Sequence, residues 1–338
     1  MRGIVCAEIE RFQAARDLPE PILEPGRAIV AIRRIGICGT DLHAFKGRQP
    51  FFVYPRILGH ELAGIIQEIG PNEQGLRIGD QVSVIPYMHC GSCIACRNGK
   101  TNCCTEMKVL GVHIDGGMRE RISVPVTHLI RANDLTLDQT ATLEPFAIGA
   151  HAVRRSGLAA GETALVIGGG PIGLGVMAFA KSRGAKVVAM DVNRDRLAFC
   201  RDWARADATV NALEDPLGQV LAANGGELPS VVFDATGNAQ SMAGAFGYAA
   251  HGGTLVYVGL VGADISFHDP EFHKRELTLM GSRNATREDF ERVLEAMASG
   301  AIDVGRYITH RAAFDDMIGR FEDWLEPESK VIKAMVEL

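Results

Sequence analysis

A six-residue glycine motif constrains the fold of this 338-residue chain more than any other feature. The apolar run 164–167 leads directly into the G-x-G-x-x-G motif at 168–173, and a second apolar stretch of helical length follows. This is the order of strand, glycine turn and helix that a dinucleotide-binding turn requires. Gly168 would make the turn, Gly170 would let the backbone approach a pyrophosphate, and Gly173 would let the helix pack on its strand. The motif therefore predicts a doubly wound parallel sheet in this part of the chain.

A second predicted strand, 186–191, ends in an acid 23 residues after Gly168. Asp191 can accept hydrogen bonds from the adenosine ribose and would repel a 2′-phosphate, which favours NAD over NADP. Arg194 and Arg196 stand nearby and weaken that preference. Apolar runs at 230–237 and 253–260 predict further buried strands, whose following loops should lie beside the nicotinamide. The predicted cofactor-binding residues are Gly168, Gly170, Pro171, Ile172, Gly173, Asp191, Arg196, Thr236, Val258 and Gly259.

Length and composition set the broad class of the protein. A chain of 338 residues suits two domains, and contents of 47% hydrophobic and 22% charged residues are typical of a globular protein. The formal net charge of -6 argues against a nucleic-acid partner, so we expect small molecules and further copies of the chain as partners. The sequence shows no signal peptide and no apolar run long enough to span a bilayer. We therefore expect a cytoplasmic location and no membrane partner.

Five of the eight cysteines crowd between positions 90 and 104. In a reducing compartment such crowding indicates metal binding rather than disulfides. Four thiolates can close a tetrahedral shell around zinc without an open position, which is a structural site. The predicted ligands are Cys90, Cys93, Cys96 and Cys104, with Cys103 as an alternative fourth ligand. Cys6 and Cys200 are expected in the core.

A second group of potential zinc ligands lies between positions 35 and 64. Cys38 and His60 are of the residue types that zinc prefers, and a catalytic zinc needs only three protein ligands. The alternative is a buried free cysteine and a core histidine. Glu144 is the single acid of the apolar segment 141–153, where an acid is costly unless it is paired or near a metal. For Glu144 the alternative is a carboxylate at a helix start, facing water ahead of Pro145.

The first part of the chain is predicted to be rich in β-structure, and the remainder continues the alternation of strands and helices. Strands are predicted at 28–32, 57–69 and 81–85, then at 277–282 and 330–336, with a helix at 287–299.

These motifs together resemble the zinc-dependent medium-chain dehydrogenase/reductase family, which includes the alcohol and polyol dehydrogenases. The resemblance rests on C-G-T-D-x-H at 38–43, G-H-E-x-x-G at 59–64, the four-cysteine lobe and the late glycine motif. It implies a GroES-like catalytic domain formed by 1–147 and 286–338, with a zinc lobe at about 88–106. It also implies a Rossmann NAD-binding domain at 148–285, with the chemistry in a cleft between the two domains.

The resemblance also implies roles for individual residues. Cys38 and His60 would hold a catalytic zinc, with Glu61 and Glu144 as the carboxylates beside it, and it leaves open which glutamate is the third ligand. Two zinc ions per subunit and NAD are the implied cofactors. Thr40 and His43 would relay the substrate proton outward, since hydroxyl and imidazole groups are common relay groups. The alternative for Thr40 is a hydroxyl that hydrogen-bonds to the backbone of a turn, and the alternative for His43 is a surface histidine without a role in the reaction.

At positions 144 and 145 this chain has Glu-Pro where other members of the family have a cysteine, and in this it resembles the branch of polyol and threonine dehydrogenases. Segments 49–52, 101–104, 269–274 and 281–286 are similar to family members that act on sugar acids. The implied reaction is oxidation of a secondary alcohol, with L-galactonate at C5 first and a sorbitol-like polyol or L-threonine as alternatives. Arg283, near a basic run at 268–275, is the predicted contact for a substrate carboxylate, and a mixed-charge solvated face is the alternative. The family implies a homodimer or homotetramer.

Other classes of protein fit these motifs less well. A zinc hydrolase with an H-E-x-x-H motif would need a histidine at position 64, where this chain has Gly64. A non-catalytic NAD-binding protein would not need Cys38, His60 and Glu144 together. A zinc-independent quinone reductase would keep its activity after loss of zinc. The motifs therefore favour a zinc-dependent oxidoreductase.

Overall fold

The computed structural model describes residues 1–49 and 51–338, with Pro327 described by its backbone only. Pro50, part of the segment 49–52 used in the resemblance, lies outside the described residues. The chain forms two compact units, one of Met1–Glu144 with Thr286–Leu338 and one of Pro145–Ala285. In the part of the chain that is described, none of the helices has the length and apolar character needed to cross a bilayer.

The strands of the described residues are, in chain order, β1 (Gly3–Glu8), β2 (Arg11–Ala15), β3 (Arg27–Ile37), β4 (Glu61–Ile69), β5 (Gln81–Val84), β6 (Tyr87–Met88), β7 (Lys108–Val109), β8 (Arg121–Pro125), β9 (Leu129–Arg131), β10 (Thr163–Ile167), β11 (Lys186–Asp191), β12 (Ala208–Asn211), β13 (Val231–Asp234), β14 (Thr254–Tyr257), β15 (Thr278–Gly281), β16 (Ile308–Ala313) and β17 (Lys333–Glu337).

The α-helices, again in chain order, are α1 (Gly39–Phe45), α2 (Ile94–Arg97), α3 (Leu137–Ala141), α4 (Leu143–Ser156), α5 (Pro171–Ser182), α6 (Arg194–Asp202), α7 (Pro216–Ala223), α8 (Ala239–Gly244), α9 (Asp269–Lys274), α10 (Arg287–Ala298), α11 (Val304–Tyr307) and α12 (Met317–Phe321).

The first unit is built on a seven-stranded sheet in the order β16-β17-β3-β4-β5-β9, with β8 also paired to β3. The central strand β3 pairs antiparallel with β4, β8 and β17. Its apolar residues, among them Ile32 and Ile35, are fully buried together with Leu62 of β4. The last strand, β17, lies beside β3, so the C-terminal segment completes the sheet that the N-terminal segment begins.

The second unit holds a six-stranded parallel sheet in the order β12-β11-β10-β13-β14-β15. Its strands are near-continuous apolar runs because a parallel sheet is covered on both faces. β10 lies at the point where the strand order reverses, and the glycine motif follows it directly. Ligands of such sheets bind at this point. The prediction of a doubly wound sheet is confirmed.

Most predicted elements are present, with shifted ends. The strand predicted at 28–32 is the eleven-residue β3. The strand predicted from position 330 begins only at Lys333, and Lys330 itself has a positive φ of 53°, which a strand cannot accommodate. Cys6 and Cys200 are fully buried, as predicted.

Candidate functional site

Cys38 stands at the end of β3 and immediately before α1. Its extended backbone, with φ of -97° and ψ of 155°, makes it the N-cap of that helix. Oδ2 of Asp41 reaches back and accepts a hydrogen bond of 2.9 Å from the amide of Cys38. This short helix therefore fixes the thiol at the rim of the sheet.

His60 and Glu61 follow a glycine turn and open β4. Gly59 has a φ of 92°, which favours glycine, and its amide donates to Oδ1 of Asp41 at 3.3 Å. The same oxygen lies 3.7 Å from Nδ1 of His60. Asp41 is fully buried, so one carboxylate ties the loop that carries Cys38 to the loop that carries His60. A carboxylate beside a histidine is a common support of a metal-binding imidazole.

The predicted ligands of the catalytic zinc converge in the first unit. The ligand atoms of Cys38, His60 and Glu61 all lie within 4.8 Å of one another. His60 is 4% exposed and Glu61 is fully buried. A thiol, an imidazole and a carboxylate form a donor set that zinc accepts.

Glu144 belongs to the same surroundings but is held separately from this group of three. It lies in the first turn of α4, as the alternative supposed, yet it is only 2% exposed and does not face water. The hydroxyl of Tyr87 donates a hydrogen bond to its Oε1. Burial raises the pKa of Glu144 to about 7, with His60 acting in the opposite direction and Glu61 adding to the rise. Burial also raises the pKa of Tyr87, which keeps its hydroxyl protonated as the donor.

Two buried polar atoms in this region have no hydrogen-bond partner among the described residues. They are Nδ1 of His60 and Oε2 of Glu144. Nδ1 of His60 faces Asp41 at 3.7 Å, so the atom that bears on a metal is Oε2 of Glu144. An unpaired buried oxygen is costly, and a bound cation or its ligands would satisfy it. The residues present therefore fit a zinc ion.

The two predicted relay residues lie on α1, directly after Cys38. Thr40 is half-buried in the first turn and His43 is exposed in the last turn. Although His43 is exposed, partial desolvation by its surroundings lowers its pKa below the usual range, and the positive charge of Arg48 lowers it further. An imidazole in this state is neutral at pH 7 and can accept a proton.

The four cysteines of the lobe also converge. The sulfur atoms of Cys90, Cys93, Cys96 and Cys104 all lie within 4.8 Å of one another. The amides of Cys93 and Cys90 donate to sulfur atoms at 3.3 Å, to those of Cys90 and Cys104 respectively. Hydrogen bonds from the amides of Cys96 and Thr105 lower the pKa of Cys93 to about 5. Sulfur atoms surrounded by amide donors are suited to thiolate, the form that binds zinc. Cys103 is exposed and lies outside this group.

The glycine motif forms a tight turn between β10 and α5. Gly168 has a φ of 103°, and a Cβ at position 173 would stand 1.8 Å from the carbonyl oxygen of Gly168. Gly170 is the N-cap of α5, Pro171 occupies the first turn and the half-buried Ile172 follows. Free amide groups at the start of a helix of this kind suit a pyrophosphate.

Asp191 lies at the end of β11 and faces this turn. It is 7% exposed, its Oδ2 accepts a hydrogen bond of 2.6 Å from the amide of Gly169, and its Oδ1 accepts one of 2.8 Å from Asn193. Nη1 of Arg196 lies 4.0 Å from where a Cβ at Gly170 would stand. The structure thus brings Asp191 and Arg196 together with the glycine turn.

The remaining predicted cofactor residues all donate hydrogen bonds to Asp234, a residue that the sequence analysis did not single out. The hydroxyl of Thr236 donates to Oδ1 of this buried acid at 2.6 Å. The amides of Val258 and Gly259 donate to its carbonyl oxygen at 2.9 and 3.0 Å. One residue at the end of β13 therefore sets both loops at the carboxyl edge of the sheet.

Arg283 is exposed and follows β15 in the second unit. The basic run before it is partly neutralised by Glu271, whose carboxylate lies 3.2 Å from Arg275 and 3.6 Å from Lys274. This pairing supports the mixed-charge alternative for the run itself.

Sequence reasoning missed three residues of the first unit that contact the predicted ligands. Asp41 had a signal, because it stands inside the C-G-T-D-x-H motif. Tyr87 and Lys333 had no local signal. Nζ of Lys333 donates to both carboxylate oxygens of Glu61, at 2.6 and 2.7 Å.

Family models match two long stretches of the chain. Residues 24–134 match the alcohol dehydrogenase GroES-like domain, and residues 171–299 match the zinc-binding dehydrogenase domain. L-galactonate-5-dehydrogenase of Escherichia coli K12 is 46% identical over 99% of this chain and 98% of its own length.

Solved structures agree over the full length of the chain. An alcohol dehydrogenase of Escherichia coli CFT073 complexed with NADH has a TM-score of 0.92 at 28% identity, covering 100% of this chain and 99% of its own. A structure from Sinorhizobium meliloti 1021 bound to NADP has a TM-score of 0.88 at 27% identity with the same coverage. The resemblance inferred from the motifs is confirmed: the chain belongs to the zinc-dependent medium-chain alcohol dehydrogenase family.

Proposed function

We propose that this chain oxidises a secondary hydroxyl group of a sugar acid or polyol with NAD, at a zinc ion held by Cys38 and His60. The observation that carries the proposal is the convergence of Cys38, His60 and Glu61 in a chain that also holds the dinucleotide turn at 168–173. When bound, zinc would polarise the substrate hydroxyl and lower its pKa, and NAD would accept the hydride.

The residues around this centre have distinct proposed tasks. Glu61 supplies a carboxylate within reach of the metal, and Glu144 offers its unpartnered Oε2 to the same region. In the proposed relay the hydroxyl of Thr40 would accept the substrate proton as it gives up its own, and the imidazole of His43 would take up a proton and release one to water. The support for this relay is that both lie on α1 directly after Cys38 and that His43 is exposed and neutral at pH 7.

The second zinc ion is proposed to be structural, with Cys90, Cys93, Cys96 and Cys104 as its ligands. Four converging sulfur atoms leave no position open for a substrate. Their task is to hold the lobe between β6 and β7 in one conformation.

We propose NAD as the cofactor, in preference to NADP. Asp191, at the end of β11, supports this because its carboxylate would repel a 2′-phosphate. The relative bound to NADH is in line with it, and the relative bound to NADP shows that the family fold accepts both.

The proposed substrate is L-galactonate, oxidised at C5, with a sorbitol-like polyol or L-threonine as alternatives. Its support is the 46% identity to an L-galactonate-5-dehydrogenase over nearly the whole chain. The test is formation of NADH from a panel of sugar acids, polyols and L-threonine, with and without a zinc chelator. Turnover on L-galactonate that stops with chelator supports the proposal. Turnover confined to L-threonine or a neutral polyol would contradict L-galactonate as the substrate and assign the compound that is turned over instead.

Arg283 is proposed to contact the substrate carboxylate. We expect Arg283→Ala to raise KM for L-galactonate about tenfold, the effect of one lost charged hydrogen bond. The matched control is Lys274→Ala, because Lys274 is a nearby exposed cation already close to Glu271. An unchanged KM for L-galactonate in the Arg283 variant would remove Arg283 from the site.

Three broader proposals complete the assignment. The discontinuous unit, 1–147 and 286–338, is the catalytic domain and 148–285 is the cofactor domain, which the two compact units support. The chain forms a homodimer or homotetramer through the edge strand β15, where Leu279 is 39% exposed. It works in the cytoplasm, which its eight free cysteines support.

A further inference from the structure

Lys333 is one of the largest fully buried side chains of the described residues, with 1% exposure. It opens the last strand, β17. Its ammonium group donates to both carboxylate oxygens of Glu61, at 2.6 and 2.7 Å, and to the carbonyl oxygen of Ile37 at 3.1 Å. An ammonium group has three protons to donate, so these contacts use all of them. The side chain therefore has one defined position.

Glu61 is confined from the opposite side by Gly36. The two residues are register partners in β3 and β4, and a Cβ at position 36 would stand 2.0 Å from Oε2 of Glu61. The carboxylate thus occupies space that only a glycine leaves free. In this position its ligand oxygen lies within 4.8 Å of the ligand atoms of Cys38 and His60.

Acidic groups crowd this point of the first unit. Glu61 and Glu144 are buried here, and the buried carboxyl group of Asp41 lies 3.7 Å from His60. The ammonium group of Lys333 is the cation that faces Glu61 directly. A buried ion pair that loses one partner leaves an uncompensated charge, and this is strongly unfavourable.

We propose that Lys333 is a positioning residue that holds Glu61 in the orientation in which it faces the metal, and that Gly36 provides the space for it. This inference rests on the proposed zinc site at Cys38 and His60. Lys333 itself contacts neither the metal nor the substrate. Its effect on the metal passes through Glu61 alone.

The direct test is Lys333→Met, with Met335→Leu on the same buried strand as the matched control. Each purified protein is loaded with Co²⁺, and metal affinity is measured by chelator competition while the visible absorption spectrum reports the ligand geometry. We expect Lys333→Met to weaken binding at the Cys38 site about 10–100-fold, the usual cost of losing a partner of a metal ligand. Its spectrum should change as well. The metal in the cysteine lobe should be retained and serves as an internal control.

A second pair of variants keeps the test decisive if Lys333→Met does not fold. Glu61→Gln leaves the buried ammonium group of Lys333 without its carboxylate partner, and the double variant Glu61→Gln with Lys333→Met removes both charges of the pair. If Lys333 acts only through Glu61, the double variant will bind Co²⁺ at least as tightly as Glu61→Gln. A further loss in the double variant, or a folded Lys333→Met with the wild-type affinity and spectrum, would overturn the inference. Wild-type protein that binds metal only at the lobe would instead overturn the proposed function.

Discussion

The adjacent cysteines Cys103 and Cys104 have opposite surroundings, although local sequence does not distinguish them. Cys103 is exposed. Cys104 is 2% exposed, and its sulfur accepts hydrogen bonds from the amides of Cys90 and Glu106, both at 3.3 Å. Of these two neighbours, only Cys104 is therefore placed to be the fourth metal ligand of the lobe.

These neighbours give a matched pair of variants. We expect Cys104→Ser to lower the zinc affinity of the lobe by about tenfold or more, because a hydroxyl is a poor replacement for a thiolate ligand. Cys103→Ser should retain the metal of the wild type. Zinc content after dialysis against a weak chelator measures both. Equal retention by the two variants would show that the fourth ligand is misassigned.

Asp191 offers a second test with single residues, this time of cofactor choice. Asp191→Ala should lower the affinity for NAD relative to NADP by about tenfold, because it removes hydrogen bonds to the ribose and the repulsion of a 2′-phosphate. The ratio of the two Kd values, from fluorescence titration, cancels any loosening of the turn that follows loss of the contact with Gly169. The exposed Asp202 of α6 provides the control, as Asp202→Asn. Affinities that fall equally for both cofactors would rule out a specificity role.

At the scale of elements, one carboxylate joins helix α3 to two strands of the first unit. Asp138, in the first turn of α3, accepts from Arg34 of β3 at 2.9 Å and from Arg311 of β16 at 2.5 Å. Burial alone would raise the pKa of Asp138, but the hydrogen bonds from Arg311 and Arg34 outweigh it and the pKa is lowered.

The pH dependence of stability follows from that lowered pKa. The ionised carboxylate stabilises the fold above its unfolded pKa of about 3.9, and the contribution is lost as the pH falls through the lower folded value. Asp138→Asn should therefore lower the free energy of unfolding at pH 7 by about 1 kcal/mol, the size for a partly exposed pair. The difference from wild type should shrink towards pH 3 in denaturant titrations. Asp134→Asn, at an exposed acid nearby, should show neither effect, and a difference that does not depend on pH would contradict the ion-pair explanation.

The elements predicted best are those whose signal is local. The glycine motif and the strands β11, β13 and β14 could be predicted because apolar runs and glycine turns lie within a few residues of each other. The convergence of the two groups of predicted metal ligands could also be predicted, since Cys and His residues at such spacings are typical of metal sites. Strand ends were less accurate: the last strand begins at Lys333, and the positive φ of Lys330 has no clear sequence signal.

Other contacts of the candidate site could not be predicted because they join distant parts of the chain. Lys333 and Glu61 are 272 positions apart, and Tyr87 and Glu144 are 57 apart. Nothing in the sequence near Tyr87 indicates that its hydroxyl faces a buried acid. Such pairs depend on sheet register, which sets β17 beside β3 and β3 beside β4.

At the scale of the whole molecule, the chain leaves the first unit after Glu144 and returns to it at Thr286. The returning segment supplies β16 and β17, and with them the lysine that holds Glu61. The first unit is therefore incomplete without the last part of the chain. The contact between Lys333 and Glu61 thus joins the last strand of the unit to β4.

The most direct test of the central claim compares wild type with Cys38→Ser in zinc content and in NADH formation from L-galactonate. The variant should hold one zinc ion fewer per chain, keep the metal of the lobe, and lose activity by about a hundredfold or more, since the metal stabilises the developing charge by several kcal/mol. Cys103→Ser, treated identically, should match wild type in both measurements. A Cys38→Ser protein that has lost this zinc and still oxidises L-galactonate at the wild-type rate would contradict a zinc-dependent reaction at Cys38 and His60.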